Sequence, residues 1–271
     1  MTNILTLTNP LSSVIEKLLA TVSRVCSSQS ISFFIAGASA REILIHHVYG
    51  RSAGRQTRDI DFAVFVNGWE QFEDLKQAFM KEGARAIKGN AHRMVAEGVE
   101  LDIIPFGGVA EDKQVAWPPD REIIMAVDGF EEAYLHTVRV KLNSGEVLPF
   151  CSLPGLALLK LFAWRDRGAA NAKDATDLYK IIAEYGLIED QRIYELPIDN
   201  EKFEWDPVRM GAFLLGSDVA IMSAGETHMA LLKLDKEKLI DAVVRQSRDG
   251  SVQEIDQRIN DFWQGIHTLG Y

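Results

Sequence analysis

The sequence is short of cysteine, of basic residues relative to acids, and of long apolar runs, and each shortage removes a class of protein. Cys26 and Cys151 are its only cysteines. Neither has a metal-site or redox spacing, which points to a reducing cytoplasm rather than a disulfide scaffold. Lys and Arg number 29 against 39 Asp and Glu, a net charge of −10, which argues against broad non-specific nucleic-acid binding and leaves room only for a local basic groove. No segment is apolar for long enough to span a bilayer, and the first residues, MTNILTLTNPLSS, carry no basic region followed by an apolar run. There is no internal repeat and no low-complexity stretch. The remaining class is an ordinary soluble globular protein, cytoplasmic and without membrane contact, whose 271 residues suffice for one large domain or two smaller ones.

Periodicity divides the chain near residue 150. Before it, helical spacing at 10–29 (Leu11, Val14, Ile15, Leu18, Leu19, Val22, Val25) precedes a short strand, SFFIAGA, that ends at Gly37. SAREILIHHV resumes helical spacing, with Ser39 read as the N-cap and Glu42 three residues on. A polar loop at 49–58 leads into the strand DIDFAVFV, then the helix WEQFEDLKQAFMKEG, stopped by Gly83. AHRMVAEG and VELDIIPFG read as paired strands turning at Gly98, and 107–121 as a loop. Short strands are predicted around 121–127, 134–141 and 146–151. Beyond Pro154 every periodic segment is helical, and Asp206-Pro207 marks one helix start. The predicted fold is α/β of the α+β kind: a small mixed-sheet domain over 1–150 and a helical C-terminal domain over 151–271.

The chemistry concentrates in TRDIDFAV, residues 57–64. On a strand, Asp59 and Asp61 share one face while Ile60, Phe62, Val64 and Val66 line the other, and the two carboxylates stand roughly 6–7 Å apart along the strand. Such a pair asks for a cation. Asp102, in VELDIIPF, supplies a third acid on a strand that can lie beside the first, and the strand–Gly37–helix junction offers free backbone N–H groups to an anion. A phosphate cradle beside three carboxylates is what metal-assisted phosphoryl or nucleotidyl transfer requires. A calcium loop would need an acid or amide at 63 and a glycine at 64, where Ala63 and Val64 stand. Dehalogenase-type phosphatases and sugar-nucleotide glycosyltransferases place their acidic pair after an apolar strand, whereas here the acids open it. A solvated sheet edge is the plain alternative for the acids alone.

IAGASAREI, TRDIDFAVFV and LDIIPFG together resemble the polymerase β-type nucleotidyltransferase superfamily. LPGLALLKLFAWRDR followed by KDATDL resembles the third and fourth motifs of the AbiEii-like nucleotidyltransferases, the toxin group of type IV toxin–antitoxin systems. The resemblance spans roughly residues 31 to 180. It implies Asp59, Asp61 and Asp102 as ligands of Mg²⁺ or Mn²⁺, with Asp102 also a candidate base. It implies Gly37, Ala38 and Ser39 as the phosphate cradle, Lys160 as a contact to nucleotide phosphates, and Asp174 as a further acid. Ala38 departs from the Gly or Ser usual there. The resemblance makes the substrate an NTP, the acceptor a hydroxyl of tRNA or other RNA, protein or a small molecule, and an antitoxin protein a partner. The alternative reading is a catalytically silent nucleotidyltransferase-like binding protein.

Other residues read more plainly. Lys160 sits in a helix apolar nearly all round, and Lys160, Trp164 and Arg167 share a face suited to a cleft. Asp174 and Asp177, at i and i+3, equally describe an exposed face paired with Lys173 or Lys180. Arg93 reads as a surface strand residue, the neighbouring His46 and His47 as non-metal, and the five tryptophans as packing.

Overall fold

The alternation in DIDFAVFV becomes a strand inside an eight-stranded sheet. The structure, a computed structural model, describes residues 4–52, 54, 57, 59–195, 200–223, 225–246 and 250–268. The predicted loop at 49–58 lies outside them at 53, 55, 56 and 58. The chain divides into two compact units, Met1–Ser152 and Leu153–Tyr271.

In the first unit β1 (Ile4–Thr6) and α1 (Ser13–Ser28) precede β2 (Ser32–Ala36), α2 (Gly37–Glu42), β3 (Asp59–Val66) and α3 (Trp69–Lys81). Then come β4 (Arg85–Ala86), β5 (Arg93–Ala96), β6 (Val99–Gly107), β7 (Gln114–Ala116), β8 (Ile124–Ala126), α4 (Phe130–Leu135), β9 (Val138–Lys141) and β10 (Val147–Phe150). The sheet order is β1-β9-β10-β2-β3-β6-β5-β4, and β7 pairs with β8 separately. β3 runs antiparallel to β2 and parallel to β6, and β5 returns antiparallel along β6. The fold is therefore a mixed sheet.

Each face of β3 has its own cover. Ile60, Phe62, Val64 and Val66 are fully buried with Leu101 and Ile103, and Phe62 meets Phe79 of α3 with ring centroids 5.6 Å apart. On the opposite face, Phe65 and Phe106 pack with Phe34, Phe130 and Tyr134, so α4 covers the far end of that face. These rings crowd the far end of the face, where Phe65 remains 38% exposed, and leave the near end, where Asp59 and Asp61 emerge, for polar chemistry.

Local differences from the sequence reading have physical causes. Gly37, at φ +60°, turns the chain so sharply that the helix starts at Gly37 itself, two residues before the predicted Ser39 cap. From Ile43 to Val48 the helix widens into a π-helical turn, which leaves the His46, His47 and Val48 carbonyls to accept from Asn9 and Thr8. The predicted strand at 134–141 begins only at Val138, because α4 ends at Leu135. The loop at 107–121 contains β7. Cys26 and Cys151 are free and buried, and burial pushes the Cys26 thiol up to about 12.

The second unit contains α5 (Leu153–Arg167), α6 (Lys173–Ile188), α7 (Arg192–Glu195), α8 (Pro207–Met222), α9 (Gly225–Leu231), α10 (Lys236–Gln246) and α11 (Val252–His267). Asp206 caps α8 by accepting from the Val208 N–H at 2.8 Å. α8 is buried on nearly every side, and glycines let its neighbours approach. A Cβ on Gly211 would lie 2.1 Å from the Gly186 Cα of α6, and one on Gly216 would lie 2.0 Å from the Phe262 carbonyl of α11. Backbone cannot yield as a side chain can. Gly211→Ala is therefore expected to destabilise the protein by about 1–3 kcal/mol, or more if the helices cannot separate. Thermal unfolding checks this; an unchanged midpoint would mean that α6 and α8 do not touch through these glycines.

Candidate active site

Pairing β3 with β6 in parallel sets Asp61 directly beside Asp102, and Asp59 beside Glu100. Residues paired this way point to the same face. One carboxylate oxygen from each of Asp59, Asp61 and Asp102 lies within 4.8 Å of the others. Three like charges this close repel, so the arrangement persists only with positive charge among them.

Arg93 supplies part of that charge. It stands on β5 directly opposite Asp102. Its Nε donates to Asp102 Oδ1 and its Nη2 to Oδ2, both at 2.6 Å, while Nη1 lies 2.7 Å from Glu100 Oε2. This two-pronged geometry is the strongest form of the ion pair. The hydrogen bonds to Asp102 outweigh burial and raise the guanidinium above its ordinary value. Arg93 is thus not the plain surface strand residue its sequence position suggests. Beside it, burial pushes the His92 imidazole below its ordinary value, and the ring packs on Trp117 at 5.3 Å.

The turn at Gly37 closes on Asp61. A Cβ at Gly37 would lie 2.1 Å from Asp61 Oδ2, so only glycine leaves room for the carboxylate. The Ala38 N–H donates to that oxygen at 3.2 Å. The Ser39 hydroxyl accepts from the Asp61 N–H at 3.2 Å and donates to the Ala36 carbonyl at 3.1 Å. That hydroxyl is buried, and its two bonds tie the start of the helix to the β3 backbone at Asp61. Glu42 closes no capping box with Ser39; it accepts from the Thr57 N–H at 2.8 Å, and the Thr57 hydroxyl donates to Asp59. The first unit thus brings together Gly37, Ala38, Ser39, Asp59, Asp61 and Asp102.

Lys160 and Asp174 belong to the second unit. The Lys160 ammonium sits 2.8 Å from both Asp174 Oδ1 and Asp177 Oδ2, and Arg167 holds Asp174 through Nε at 2.6 Å and Nη2 at 3.1 Å. Burial pulls the Lys160 ammonium down, but the two aspartates outweigh it and leave it above its ordinary value. Burial likewise lifts Asp174, and Arg167 with Lys160 more than reverse this. The predicted stripe of Lys160, Trp164 and Arg167 does not form an open cationic face: both cations turn onto α6, and Trp164 is buried. Nor are Asp174 and Asp177 an exposed pair for Lys173 or Lys180, since both are buried and Lys180 bonds Glu184. Asp177 and Arg93 are the partners that the sequence reading passed over. Arg93 could have been found by counting the hairpin register back from Gly98, which sets it opposite Asp102.

Over residues 18–247 the sequence matches the model of a family described as nucleotidyl transferase AbiEii toxin, type IV TA system. The chain belongs to this nucleotidyltransferase family. No curated protein matches it. Among solved structures, ANT(2″)-Ia in complex with adenylyl-2″-tobramycin is 13% identical with a TM-score of 0.42, covering 66% of this chain and 94% of that one. An antigenic nucleotidyltransferase-like protein from Paracoccidioides brasiliensis is 17% identical with a TM-score of 0.42, covering 64% and 78%. A tRNA-processing enzyme in an apo form is 14% identical with a TM-score of 0.28, covering 92% and 78%. These scores are low, and membership of the AbiEii family rests on the sequence match.

Three outcomes follow from the packing of this nucleotidyltransferase. Gly37→Ala, which forces a side chain into the Asp61 carboxylate at a left-handed backbone position, is expected to cost about 1–3 kcal/mol; denaturant unfolding measures it, and a neutral substitution would contradict the close approach. Lys160→Met leaves two buried carboxylates facing each other and is expected to cost about 3–5 kcal/mol at neutral pH. Because the folded Asp174 titrates below its ordinary 3.8, its stabilisation is present above that value and is lost as pH falls through the lowered one. Unfolding free energies measured against pH should therefore fall less steeply on acidification in Asp174→Asn than in the wild type.

Proposed function

We propose that this nucleotidyltransferase transfers an NMP from an NTP to a hydroxyl acceptor with Mg²⁺ or Mn²⁺ held by Asp59, Asp61 and Asp102. The observation that carries the reading is the convergence of those three carboxylate oxygens within 4.8 Å, on adjacent parallel strands beside the Gly37 turn. Hard oxygen donors in this number suit a hard divalent cation. Bound there, such an ion would neutralise triphosphate charge and favour attack by the acceptor hydroxyl. In the reaction the acceptor oxygen bonds to the α-phosphorus, the bond to pyrophosphate breaks, and the hydroxyl proton must leave; Asp102 is the carboxylate we assign to receive it.

The chain's own groups prepare that step. Ser39 and Ala38 orient Asp61, and Thr57 orients Asp59. Gly37 leaves room for the Asp61 carboxylate, and we assign the phosphates to the turn of Gly37, Ala38 and Ser39. The roles of Lys160 toward the nucleotide phosphates and of Asp174 as a further acid rest on the family's motifs. On this reading Met1–Ser152 is the nucleotidyltransferase domain and Leu153–Tyr271 its helical companion.

The family description supports a toxin of a type IV pair, acting in the cytoplasm and restrained by an antitoxin protein. Among the described residues no helix is long and apolar enough to cross a membrane. We take RNA of tRNA size as the first acceptor to test, with a cationic small molecule next, which the net charge of −10 would attract. A catalytically silent binding protein is the second reading; Ala38 and the occupation of both Asp102 oxygens by Arg93 favour it.

The test is incubation with Mg²⁺, each α-labelled NTP and total RNA, followed by detection of label on RNA or protein, with and without a small cationic acceptor. Label is expected in the wild type and its loss, by at least about a thousandfold, in Asp59→Asn/Asp61→Asn with the fold retained. Undiminished label in the double variant would refute the site. No label on any acceptor, with no NTP binding by calorimetry, would establish the silent reading.

A further inference from the structure

We propose that Arg93 is a resident counter-ion of the acidic site that releases Asp102 when a divalent ion binds, and so sets how tightly the free protein takes that ion. The inference rests on the reading of Asp59, Asp61 and Asp102 as the metal site.

The geometry defines a competition. Each oxygen of Asp102 accepts one hydrogen bond, at 2.6 Å, from the Nε or Nη2 of one guanidinium, which leaves an incoming ion to share the oxygen with that donor or displace it. A divalent ion needs a short bond to one of those same oxygens, about 2.1 Å for Mg²⁺. Its charge also meets a fixed positive charge on the same carboxylate, and the two cations repel. Asp59, Asp61, Asp102 and Glu100 together carry four negative charges; with Arg93 between Asp102 and Glu100 the sum is three, so the patch still draws a divalent ion. Arg93 therefore relieves the repulsion among the acids in the metal-free protein and makes the entry of a bare ion less favourable.

The structure also provides a place for Arg93 to go. Its third nitrogen, Nη1, already lies 2.7 Å from Glu100 Oε2. Glu100 and Asp102 point to the same face of β6, two residues apart, so the guanidinium spans them. The Asp102 side chain is 10% exposed and that of Glu100 46%. The fork thus holds a nearly dry carboxylate at one end and a wet one at the other. Once an ion occupies Asp102, the contact with Glu100 keeps Arg93 at the rim, with Nε and Nη2 freed to meet an anion such as a triphosphate. Metal and nucleotide then support each other's binding, because the anion compensates the cation that the metal displaces.

Mn²⁺ binding to the full chain, measured by electron paramagnetic resonance without nucleotide, tests the proposal. Arg93→Gln, which removes the charge, is expected to bind Mn²⁺ about tenfold more tightly than the wild type, and Arg93→Lys, which keeps it, to stay near the wild type. Equal or weaker binding by a folded Arg93→Gln overturns the proposal. Should Arg93→Gln fail to fold by circular dichroism, ¹⁵N spectra of arginine side chains in the wild type decide. The Arg93 Nε–H signal, identified by its loss in Arg93→Lys, should shift at saturating Mg²⁺, and an unmoved signal overturns the proposal. The two readings fail differently. Absence of Mn²⁺ binding in the wild type and both variants overturns the metal site itself. Wild-type binding that Asp61→Asn abolishes and Arg93→Gln leaves unaltered overturns only the role of Arg93.

Discussion

The parallel register of β3 on β6 is the constraint from which the rest of the first unit follows. It sets Asp61 beside Asp102 and Asp59 beside Glu100, so four acids share one small patch of one face. A shift of one residue would send Asp102 to the opposite face, among Phe62 and Phe79, where an unpaired carboxylate would cost several kcal/mol. The hydrophobic alternation of both strands therefore enforces the register, and the register enforces the crowding of charge. The apolar core on one face determines the electrostatics of the other.

Crowded carboxylates need partners, and neighbouring side chains and one backbone N–H supply them. Ala38 and Ser39 bond Asp61, Thr57 bonds Asp59, and Arg93 forks Asp102. Each of these groups commits a donor or acceptor to an aspartate. The left-handed turn at Gly37 makes the first two contacts sterically feasible, since any Cβ there would strike the Asp61 carboxylate. The acidic cluster is thus held together by the chain's own groups, with its negative charge partly compensated from within.

The second unit solves a different problem by the same physics. Helix α8 is apolar on most sides and meets α6 and α11 at glycines, where backbones replace side chains as the packing surface. In that dry interior the ammonium of Lys160 is stable only because Asp174 and Asp177 flank it, and Arg167 caps the outer carboxylate. Tyr185 donates to Asp218, which Arg192 also holds, and Arg209 grips Asp261. Among the described residues of this unit, the buried Asp174, Asp177, Glu184, Arg209 and Asp261 each sit in an ion pair.

Much of this was legible in sequence because it is local. Strand period gave the shared face of Asp59 and Asp61, Gly37 marked the junction of strand and helix, and helical period after Pro154 marked α5, α6, α8, α10 and α11. The motifs carried the family. What was misread depended on contacts between distant segments. Ser39 is a perfectly good cap by composition, yet its hydroxyl serves Asp61, 22 residues away. Lys160 and Arg167 look like an open cationic stripe until α6 turns its aspartates toward them. Arg93 looks like a surface cation until the hairpin register places it on Asp102. The sequence by itself determined which residues could carry charge, turn or bury, since those are properties of side chain and local backbone. Only the tertiary structure decided which charge meets which, because pairing depends on strand register and helix packing, and these are settled by the whole core at once.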